Sequence, residues 1–408
     1  MSFSNEVVLK DVSEYSKEKI DIGEISISNY VSTENLLPDI GGKALSSGLP
    51  SKGKATKYCK GDILISNIRP YFKKIWQADN EGGSSNDVLV LKAKRNIEGK
   101  FLYYNLACSA FFDYVMSGAK GTKMPRGDKN HILGYKLNLP PMQEQKAIAH
   151  ILSTLDDKIE VNNQINKTLE NMAQAIFKQW FVDFEFPNED GEPYKSSGGE
   201  MVESELGMIP KGWEVKELGE IIDIIKQGTK PGEHLKDRKY NPIDTLPMKS
   251  IAINDFKPYE EAKSSLILFE KYDVLIGAMR VYFHRVNLAP YKGITRTTTF
   301  VLRSKRIQDV PYNLFLLNMD ETIDYAERTS KGSTMPYAVW DNGMSNMLTA
   351  YSNKELRNNF FEIIQPMLET IMKRSAENEV LIKIRDSLLP KLMSGEIRVP
   401  LDEEGDLS

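Results

Sequence analysis

The residues best suited to chemistry in this chain are lysines and arginines in two clusters, each with aromatic residues among them. Such side chains contact phosphate groups, and arginine can also donate two parallel hydrogen bonds to the edge of guanine. The clusters therefore indicate nucleic-acid contacts, although a solvated basic face remains the alternative for any single residue. The first cluster comprises Lys52, Lys54, Lys57, Lys60, Arg69, Tyr71, Lys73 and Lys74. The second cluster comprises Lys226, Lys230, Lys236, Arg238, Lys239, Arg280, Tyr282, Arg285, Lys292 and Arg296.

The common catalytic templates are missing from the sequence. The string Asn138-Leu139-Pro140-Pro141 has leucine in the wrong place for the Asn/Asp-Pro-Pro-aromatic motif of an adenine methyltransferase. Neither a glycine-rich loop for S-adenosylmethionine nor a GxxxxGK[ST] phosphate loop occurs. A nuclease site could begin at Asp39 or Asp62, but no Glu-x-Lys lies nearby, and the four histidines are isolated from one another. We therefore expect no catalytic residue and no metal site in this chain.

The composition is typical of a globular protein with two to three domains. The chain has 408 residues, of which 41% are hydrophobic and 27% are charged. No apolar run reaches the ~18 residues of a membrane span, and the N-terminal residues contain no apolar signal region. The two cysteines form no CxxC pair, which is consistent with a reducing cytosol. The net charge of −4 does not by itself indicate nucleic-acid binding.

A long amphipathic helix is predicted between the two basic clusters, over residues 141–181. The segment contains no proline or glycine after Pro141, which suits the first helical turn. About 40 residues at 1.5 Å each give a rod of roughly 60 Å, which is better suited to hold two bodies apart than to fill one core. Apolar residues recur at the a/d spacing of a coiled coil, with Asn162 and Asn166 as a polar break. This seam comprises Ile148, Leu152, Leu155, Ile159, Asn166, Leu169, Ile176 and Trp180.

The same seam returns near the C-terminus. An offset of 212 residues takes Ile148 to Phe360 and Asn166 to Asn378, so both seams have a polar break at the same place. Two long helices with matching seams predict an antiparallel pair, and two independent surface helices are the alternative. The second seam comprises Phe360, Ile364, Met367, Ile371, Asn378, Leu381, Leu388 and Leu392.

The globular parts of the chain repeat each other as well. An ungapped offset of 211 residues takes Asp62 to Asp273, Arg69 to Arg280 and Met124-Pro125 to Met335-Pro336. Residues 22–60 and 225–265, in contrast, share little under any offset. The sequence therefore predicts a tandem duplication in which one part of each half is shared and another part diverges.

These patterns divide the chain into alternating α+β domains and helices. Short alternating strands predict a mixed α/β domain over residues 1–140, followed by the first long helix over 141–186. Residues 187–210 are crowded with proline, glycine, serine and acids, which is typical of a linker. A second mixed α/β domain is predicted over 211–351, the second long helix over 352–398 and an acidic tail over 399–408.

Four segments, in this order and on a duplicated frame, resemble the specificity subunit of type I restriction-modification enzymes over the whole chain. The segments are LPPMQEQKAIAHILSTLDDKIEVN, IFKQWFVDFEFP, YKSSGGEMVESELGMIPKGWEV and LLPKLMSGEI. The resemblance implies two target recognition domains joined by two long helices that pack as an antiparallel coiled coil with approximate two-fold symmetry. One departure is Pro366, which interrupts the second helix near its start and predicts a kink there.

The resemblance also implies the partners. It implies a non-catalytic subunit that binds double-stranded DNA with a bipartite, asymmetric target, one domain reading each half. It implies two modification subunits, which bind S-adenosylmethionine and methylate adenine, and restriction subunits that translocate DNA with ATP and cut it. We therefore expect no cofactor in this chain, since S-adenosylmethionine, ATP and Mg²⁺ belong to partner subunits, and we expect a cytoplasmic protein.

Two other functions stay open from the sequence. The chain could be an adaptor whose helices space two protein-binding domains, or a methyltransferase or nuclease with unfamiliar motifs. Under the DNA-recognition hypothesis, residues shared by the halves hold the framework, contact phosphates or dock partners, and residues that differ read bases. On this reasoning Arg69 and Arg280 contact phosphates or serve the fold, whereas the lysines of 52–60 and 226–239 are candidates for base reading.

Overall fold

The computed structural model describes residues 6–399, and the chain forms two compact units, which we describe separately. Unit 1 comprises Met1–Lys158 and Leu381–Ser408, and unit 2 comprises Ile159–Val380. Both long helices contribute to each unit, because the first spans Met142–Phe177 and the second spans Lys354–Ser394. Apart from Val399, the predicted acidic tail lies outside the described residues.

Within residues 6–158 and 381–399, unit 1 contains three small sheets and four short α-helices besides the long ones. β1 (Glu6–Val8) pairs antiparallel with β10 (Lys136–Asn138). One four-stranded sheet has the order β2 (Ser13–Tyr15), β9 (Val88–Ala93), β6 (Ile63–Ser66), β7 (Ile75–Gln77). The other has the order β3 (Lys19–Asp21), β5 (Lys54–Tyr58), β8 (Gly82–Ser84), β4 (Tyr30–Val31). The α-helices span Leu9–Val12, Gly99–Leu106, Ser109–Ser117 and Lys129–Leu133.

Unit 2 contains equivalent elements and one additional hairpin. The hairpin joins β11 (Met201–Ser204) to β12 (Gly207–Pro210), and β13 (Glu214–Glu217) pairs with β22 (Leu348–Tyr351). One four-stranded sheet has the order β14 (Ile222–Ile224), β21 (Thr299–Ser304), β18 (Val274–Gly277), β19 (Val286–Leu288). The other has the order β15 (Gly228–Thr229), β17 (Leu266–Phe269), β20 (Gly293–Arg296), β16 (Lys239–Tyr240). The short α-helices span Leu218–Ile221, Val310–Leu317 and Asp320–Arg328.

The divergent parts of the two halves form sheets with the same strand order. In unit 1, Tyr30 of β4 pairs in parallel with Gly83 of β8. In unit 2, Tyr240 of β16 pairs in parallel with Ile294 of β20. Ladder hydrogen bonds are made by main-chain groups, so different side chains are compatible with one topology. The tandem duplication therefore extends through the segments whose sequences show no resemblance.

Several predicted elements differ in the structure. The first long helix is α-helical only to Phe177 and continues as a π-helix over Lys178–Val182, a turn in which Trp180 and Phe181 are both buried. Residues 99–117, an apolar stretch, form two helices that are separated at Ala107 and Cys108. The basic segment over residues 52–60 contains strand β5 over Lys54–Tyr58. The second long helix is continuous through Pro366, from Lys354 to Ser394, and the predicted kink at this proline stays a prediction.

The predicted linker is also more ordered than its composition indicates. Besides the β11–β12 hairpin, it contributes Tyr194 to a stack in which its ring lies 4.5 Å from that of Phe186. Phe186 in turn stacks on Trp213 at 5.6 Å, and both are buried. Aromatic burial of this kind outweighs the flexibility expected of a segment rich in glycine, proline and serine. The segment therefore packs on the core of unit 2 through Tyr194 and Ile209, while most of its other residues are exposed.

In unit 1, the long helices pack antiparallel and are joined to the domain by charged contacts. Asp156 of the first helix accepts a hydrogen bond from Arg385 of the second at 2.9 Å and another from Tyr104 at 2.7 Å. Toward the start of the first helix, buried Glu144 accepts two hydrogen bonds from Arg398, at 2.5 and 2.6 Å. Later residues of one helix thus contact earlier residues of the other. Ile148 and Leu152 share one core cluster with Leu392 and with the domain helices.

In unit 2, the remaining parts of the helices pack through an apolar segment and a polar layer. Ala173 and Phe177 share a core cluster with Phe360, Ile364 and Ile371. The predicted seam residues of both units are all buried or half-buried; they are Ile148, Leu152, Leu155, Ile159, Asn166, Leu169, Ile176, Trp180, Phe360, Ile364, Met367, Ile371, Asn378, Leu381, Leu388 and Leu392.

The polar layer consists of hydrogen-bonded side chains between the two helices. Asn162 is fully buried and donates to Asn378 at 2.8 Å and to Glu377 at 2.9 Å. The side-chain Oδ1 of Asn162 accepts a hydrogen bond from Arg374 at 2.8 Å. Asn166 donates to Ser375 at 3.3 Å. Polar pairs of this kind stabilise one register of a helix pair over the alternatives.

Candidate nucleic-acid interface

Two surface segments of unit 1 are held together by main-chain hydrogen bonds. We call residues 67–74 and 119–127 the first loop pair. The Arg69 amide donates to the Pro125 carbonyl at 2.8 Å, and Lys120 and Arg126 exchange two main-chain hydrogen bonds at 2.9 Å. Gly121 adopts φ +94°, and a Cβ there would lie 3.3 Å from the Met124 carbonyl oxygen. The glycine therefore permits the tight turn of the second segment.

Unit 2 contains the same arrangement at an offset of 211 residues. We call residues 278–285 and 330–338 the second loop pair. The Arg280 amide donates to the Pro336 carbonyl at 2.8 Å, and Lys331 and Tyr337 exchange two main-chain hydrogen bonds at 2.9 Å. Gly332 adopts φ +88°. The two loop pairs are thus equivalent in their backbone hydrogen bonds and in the position of the glycine.

Each loop pair holds an arginine in the left-handed backbone region. Arg69 and Arg280 both have φ +49°, and each precedes one turn of 3₁₀ helix, Pro70–Phe72 or Val281–Phe283. Residues other than glycine, asparagine and aspartate rarely adopt this conformation, which is strained for a side chain with a Cβ. Both arginine side chains are exposed. Backbone strain at an exposed, charged residue indicates that the side chain itself has a role.

Exposed aromatic and methionine side chains accompany the arginines. Tyr71 and Phe72 lie 4.6 Å apart between ring centroids, and Tyr282 and Phe283 lie 5.0 Å apart. These four rings are between 38% and 46% exposed. The equivalent methionines, Met124 and Met335, are exposed as well. The same large side chains therefore face solvent at the same positions in both units.

Four of the predicted cations are engaged within the protein instead of facing solvent. Lys74 donates to the Thr33 carbonyl at 2.6 Å, and Arg285 donates to the Leu246 carbonyl. Burial lowers the pKa of Arg285. Arg238 and Lys239 lie beside β20, and their partners are the carbonyls of Phe269 and Gly293 and the carboxylates of Glu270 and Glu379. Sequence spacing alone could not reveal these contacts, which favour a role in the fold.

Most of the remaining candidates are exposed, in or beside the divergent sheets. Lys54 and half-buried Lys57 lie on strand β5, and Arg296 ends strand β20. Exposed Lys226 pairs with Asp341 at 2.6 Å, and half-buried Lys73 donates to Ser109 at 3.0 Å. The other exposed candidates are Lys52, Lys60, Lys230, Lys236 and Lys292. The structure thus leaves accessible cations in the segments where the halves differ, 22–60 and 225–265, whereas Lys73, Lys292 and Arg296 lie outside these segments.

The acidic residues considered for nuclease chemistry have structural partners or lie apart. Asp62 is buried, and its carboxylate accepts a hydrogen bond from the Cys59 amide at 2.9 Å in the turn before β6. Burial raises the pKa of Asp62. Between residues 6 and 399, no group of three or more histidine, cysteine, aspartate or glutamate residues could hold a metal ion. In the same range, no helix is both long and apolar enough to cross a membrane.

The site candidates chosen from the sequence omit the second segment of each loop pair. Lys120 and Thr122 in unit 1, and Lys331 and Ser333 in unit 2, are exposed and lie beside the predicted arginines. The sequence did point to these residues, because the ungapped offset of 211 takes Lys120-Gly121 to Lys331-Gly332. Only the folded structure shows that these residues lie next to Arg69 and Arg280.

Comparison with known proteins identifies the family. The family model for the type I restriction modification DNA specificity domain matches residues 3–171 and 210–341. The chain belongs to this family. It is 27% identical over 370 residues to the MjaIX specificity subunit of Methanocaldococcus jannaschii, with 85% of this chain and 81% of the relative covered. It is 26% identical over 408 residues to the HindI specificity subunit of Haemophilus influenzae, with 85% and 88% covered.

A solved structure supports the fold of this specificity subunit. The S subunit of the type I restriction-modification system from M. genitalium aligns with a TM-score of 0.59 and 16% identity, covering 95% of this chain and 96% of that chain. The first match to the family model covers the first mixed α/β region and most of the first long helix, and the second match lies in the second mixed α/β region. The predicted resemblance, tandem duplication and fold class are therefore confirmed. As a type I specificity subunit with DNA-recognition domains, the chain is a non-catalytic component of its system.

Proposed function

We propose that this specificity subunit reads a bipartite, asymmetric DNA target, with one recognition domain for each half of the target. The observation that carries the proposal is the contrast within the duplicated fold. Two sheets with the same strand order carry unrelated side chains, whereas the loop pairs carry an arginine, a tyrosine, a phenylalanine, a lysine and a methionine at equivalent positions. A chain that binds one continuous duplex at two different half-sites requires this combination of a shared scaffold and divergent base contacts.

Base reading is assigned to the accessible cations of the divergent segments. The candidates in unit 1 are Lys52, Lys54, Lys57 and Lys60, and those in unit 2 include Lys230 and Lys236. Arg69 and Arg280 are assigned to phosphate contacts, because residues common to both halves cannot distinguish two different half-sites. Phosphate contacts position a protein on the duplex and add affinity for every sequence.

The partners follow from the same proposal. Two modification subunits supply S-adenosylmethionine and methylate an adenine in each half of the target, and restriction subunits supply ATP-dependent translocation and cleavage with Mg²⁺. The paired long helices set the distance between the two reading domains, since a packed helix pair holds a distance that a flexible linker cannot. We place the assembled complex in the cytoplasm, where the DNA is.

Mapping of methylated adenines in a genome that carries the complete system tests the proposal. We expect one motif composed of two different half-sites separated by a constant number of unspecified bases. Genomic DNA from a strain that lacks only this chain is the control and should lose methylation at that motif. A motif that persists without the chain, or a chain that gives its partners no target selectivity, would contradict DNA reading and favour a structural adaptor.

Substitution then separates base reading from phosphate contact. Lys54→Ala or Lys236→Ala at a base-reading position should cost ~1–3 kcal/mol and relax the motif at one base pair of one half-site. Arg69→Ala and Arg280→Ala should weaken binding to all sequences and leave the motif unchanged. Selection of methylated sites from a randomised library at two salt concentrations measures both effects. The opposite result would reverse this division: the arginine variants would alter the motif, and all lysine variants at 52–60 and 230–236 would preserve it.

A further inference from the structure

The two loop pairs are free of acidic residues in an acidic chain. The chain contains 57 aspartate and glutamate residues, and none of them lies within residues 67–74, 119–127, 278–285 or 330–338. Nearby carboxylates pair with two cations of the first loop pair, but Lys120 beside Asp128 remains 84% exposed and Arg126 beside Asp87 remains 54% exposed. Both loop pairs therefore present positive charge to solvent, which complements the charge of a phosphate backbone.

The side chains that the loop pairs share have the chemistry of phosphate contacts. An exposed arginine, an exposed tyrosine, an exposed lysine and an exposed hydroxyl residue occur at equivalent positions in each pair. Arginine, lysine, tyrosine, serine and threonine are the residues that contact phosphate oxygens in protein–DNA complexes. The equivalent residues are Arg69 and Arg280, Tyr71 and Tyr282, Lys120 and Lys331, and Thr122 and Ser333.

The backbone geometry at Arg69 and Arg280 indicates that these side chains serve a purpose besides folding. Glycine would adopt φ +49° without strain, and glycine does occupy the left-handed positions 121 and 332 in the same loop pairs. The other left-handed positions hold an arginine in both units, Arg69 or Arg280, and then Lys73 in one unit and His284 in the other, so only the arginine is common to both. A role in the fold alone does not require a long, exposed, charged side chain there.

We propose that the first and second loop pairs are two equivalent clamps that bind the DNA phosphodiester backbone without reading its sequence. Lys120, Thr122, Lys331 and Ser333 are contact residues of these clamps, alongside the arginines and tyrosines. This inference rests on the proposed function, because it assumes that DNA lies across both recognition domains. It assigns a binding role to the 119–127 and 330–338 segments, and it gives both halves of the target the same sequence-independent attachment.

The experiment measures binding by the full chain assembled with its modification subunits, on a duplex with the mapped target and on a duplex of scrambled sequence. One variant combines Lys120→Ala with Lys331→Ala, and another combines Arg69→Gly with Arg280→Gly. The matched control combines Lys100→Ala with Lys354→Ala, which removes two exposed lysines outside the loop pairs. Dissociation constants at several salt concentrations give the slope of log affinity against log salt concentration.

Each clamp variant should lower the magnitude of this slope by about two, since each lost phosphate contact contributes about 0.9. Affinity should fall by the same factor on both duplexes, and the methylated motif should not change. The Gly variant should melt within a few degrees of the wild type, because relief of backbone strain offsets the greater freedom of glycine in the unfolded chain. The lysine control should retain the wild-type slope.

Several results would overturn the proposal. Unchanged salt slopes in both clamp variants would exclude phosphate contacts, and a changed motif would make the loop pairs base readers. Loss of the modification subunits from the complex on size exclusion would make the loop pairs a protein-docking surface. If the wild-type complex showed no preference for the mapped target, the proposed function would fail first, so the two failures are distinguishable.

Discussion

Replacing Asn162 and Asn378 together by leucine should disturb the helix pair less than the two single replacements imply. The two amides are hydrogen-bonded at 2.8 Å, and the side chains are 0% and 4% exposed. Asn162→Leu alone leaves the Asn378 carbonyl oxygen facing an apolar side chain. Asn378→Leu alone leaves one proton of the Asn162 amide without its partner. The double variant places two leucines opposite each other and leaves neither group unpaired.

The magnitude follows from the cost of a buried polar group without a partner, which is ~1–3 kcal/mol. Each single variant carries one such group, whereas the wild type and the double variant carry none at this position. The coupling energy of the double-mutant cycle sums the two single penalties and should therefore favour the matched pairs by about 2–6 kcal/mol. Glu377 is exposed and Arg374 is half-buried, so both regain water when Asn162 is lost, and they add little to the coupling.

Urea unfolding of the four proteins, followed by far-ultraviolet circular dichroism, measures the coupling. Gln174→Leu and Lys373→Leu form the control cycle, because both side chains are exposed on the two helices and should give additive effects. Additivity within about 0.5 kcal/mol for the asparagine pair as well would show that the polar layer is not coupled, and the reasoning would be refuted.

Three further predictions concern the helices and domains. Inserting four residues, about one helical turn, into one long helix should lengthen the unspecified spacer in the methylated motif or abolish assembly; full activity with an unchanged spacer would contradict the spacing role. Exchanging residues 1–140 for those of a related subunit should change one half of the motif, and a change in both halves would exclude independent reading. Burial raises the pKa of Glu170 above its usual 4.5, so the folded state holds this proton more tightly than the unfolded state. Stability should therefore fall as pH rises from 4.5 through the raised pKa, and Glu170→Gln should remove that fall in urea titrations at several pH values; an identical pH profile would contradict the assignment.

The features that depend on periodicity were predictable from the sequence. The a/d spacing of the long helices and the ungapped offset of 211 predicted the duplicated α+β fold, because apolar periodicity reports which face of an element is buried. The π-helix at Lys178–Val182 was not predictable, since its residues also suit an α-helix and packing of Trp180 and Phe181 decides the geometry. The strand order of the divergent sheets was not predictable either, because main-chain hydrogen bonds between strands depend little on the side chains.

The candidate site was predicted in outline only. Counting cations located the two basic regions but could not distinguish Lys74 and Arg238, which bind main-chain carbonyls, from exposed Lys54. Those contacts join residues 31 to 55 positions apart, a distance over which side-chain spacing carries no information. The neighbours of Arg69 in the 119–127 segment were missed for the same reason, because the loop pair is assembled only by folding.

The common strand order of the divergent sheets has an evolutionary consequence. The residues paired between their first two strands, Lys19 with Thr56 and Gly228 with Ile267, are 37 and 39 positions apart, so chain length has barely changed while the sequence has. A lineage under selection for a new target can substitute the exposed side chains of these sheets without changing the strand order. Because each half has its own copy, substitutions in one divergent sheet leave the other sheet under separate selection. Under the proposed function, the gene can therefore explore combinations of half-sites while the shared parts of the chain stay unaltered.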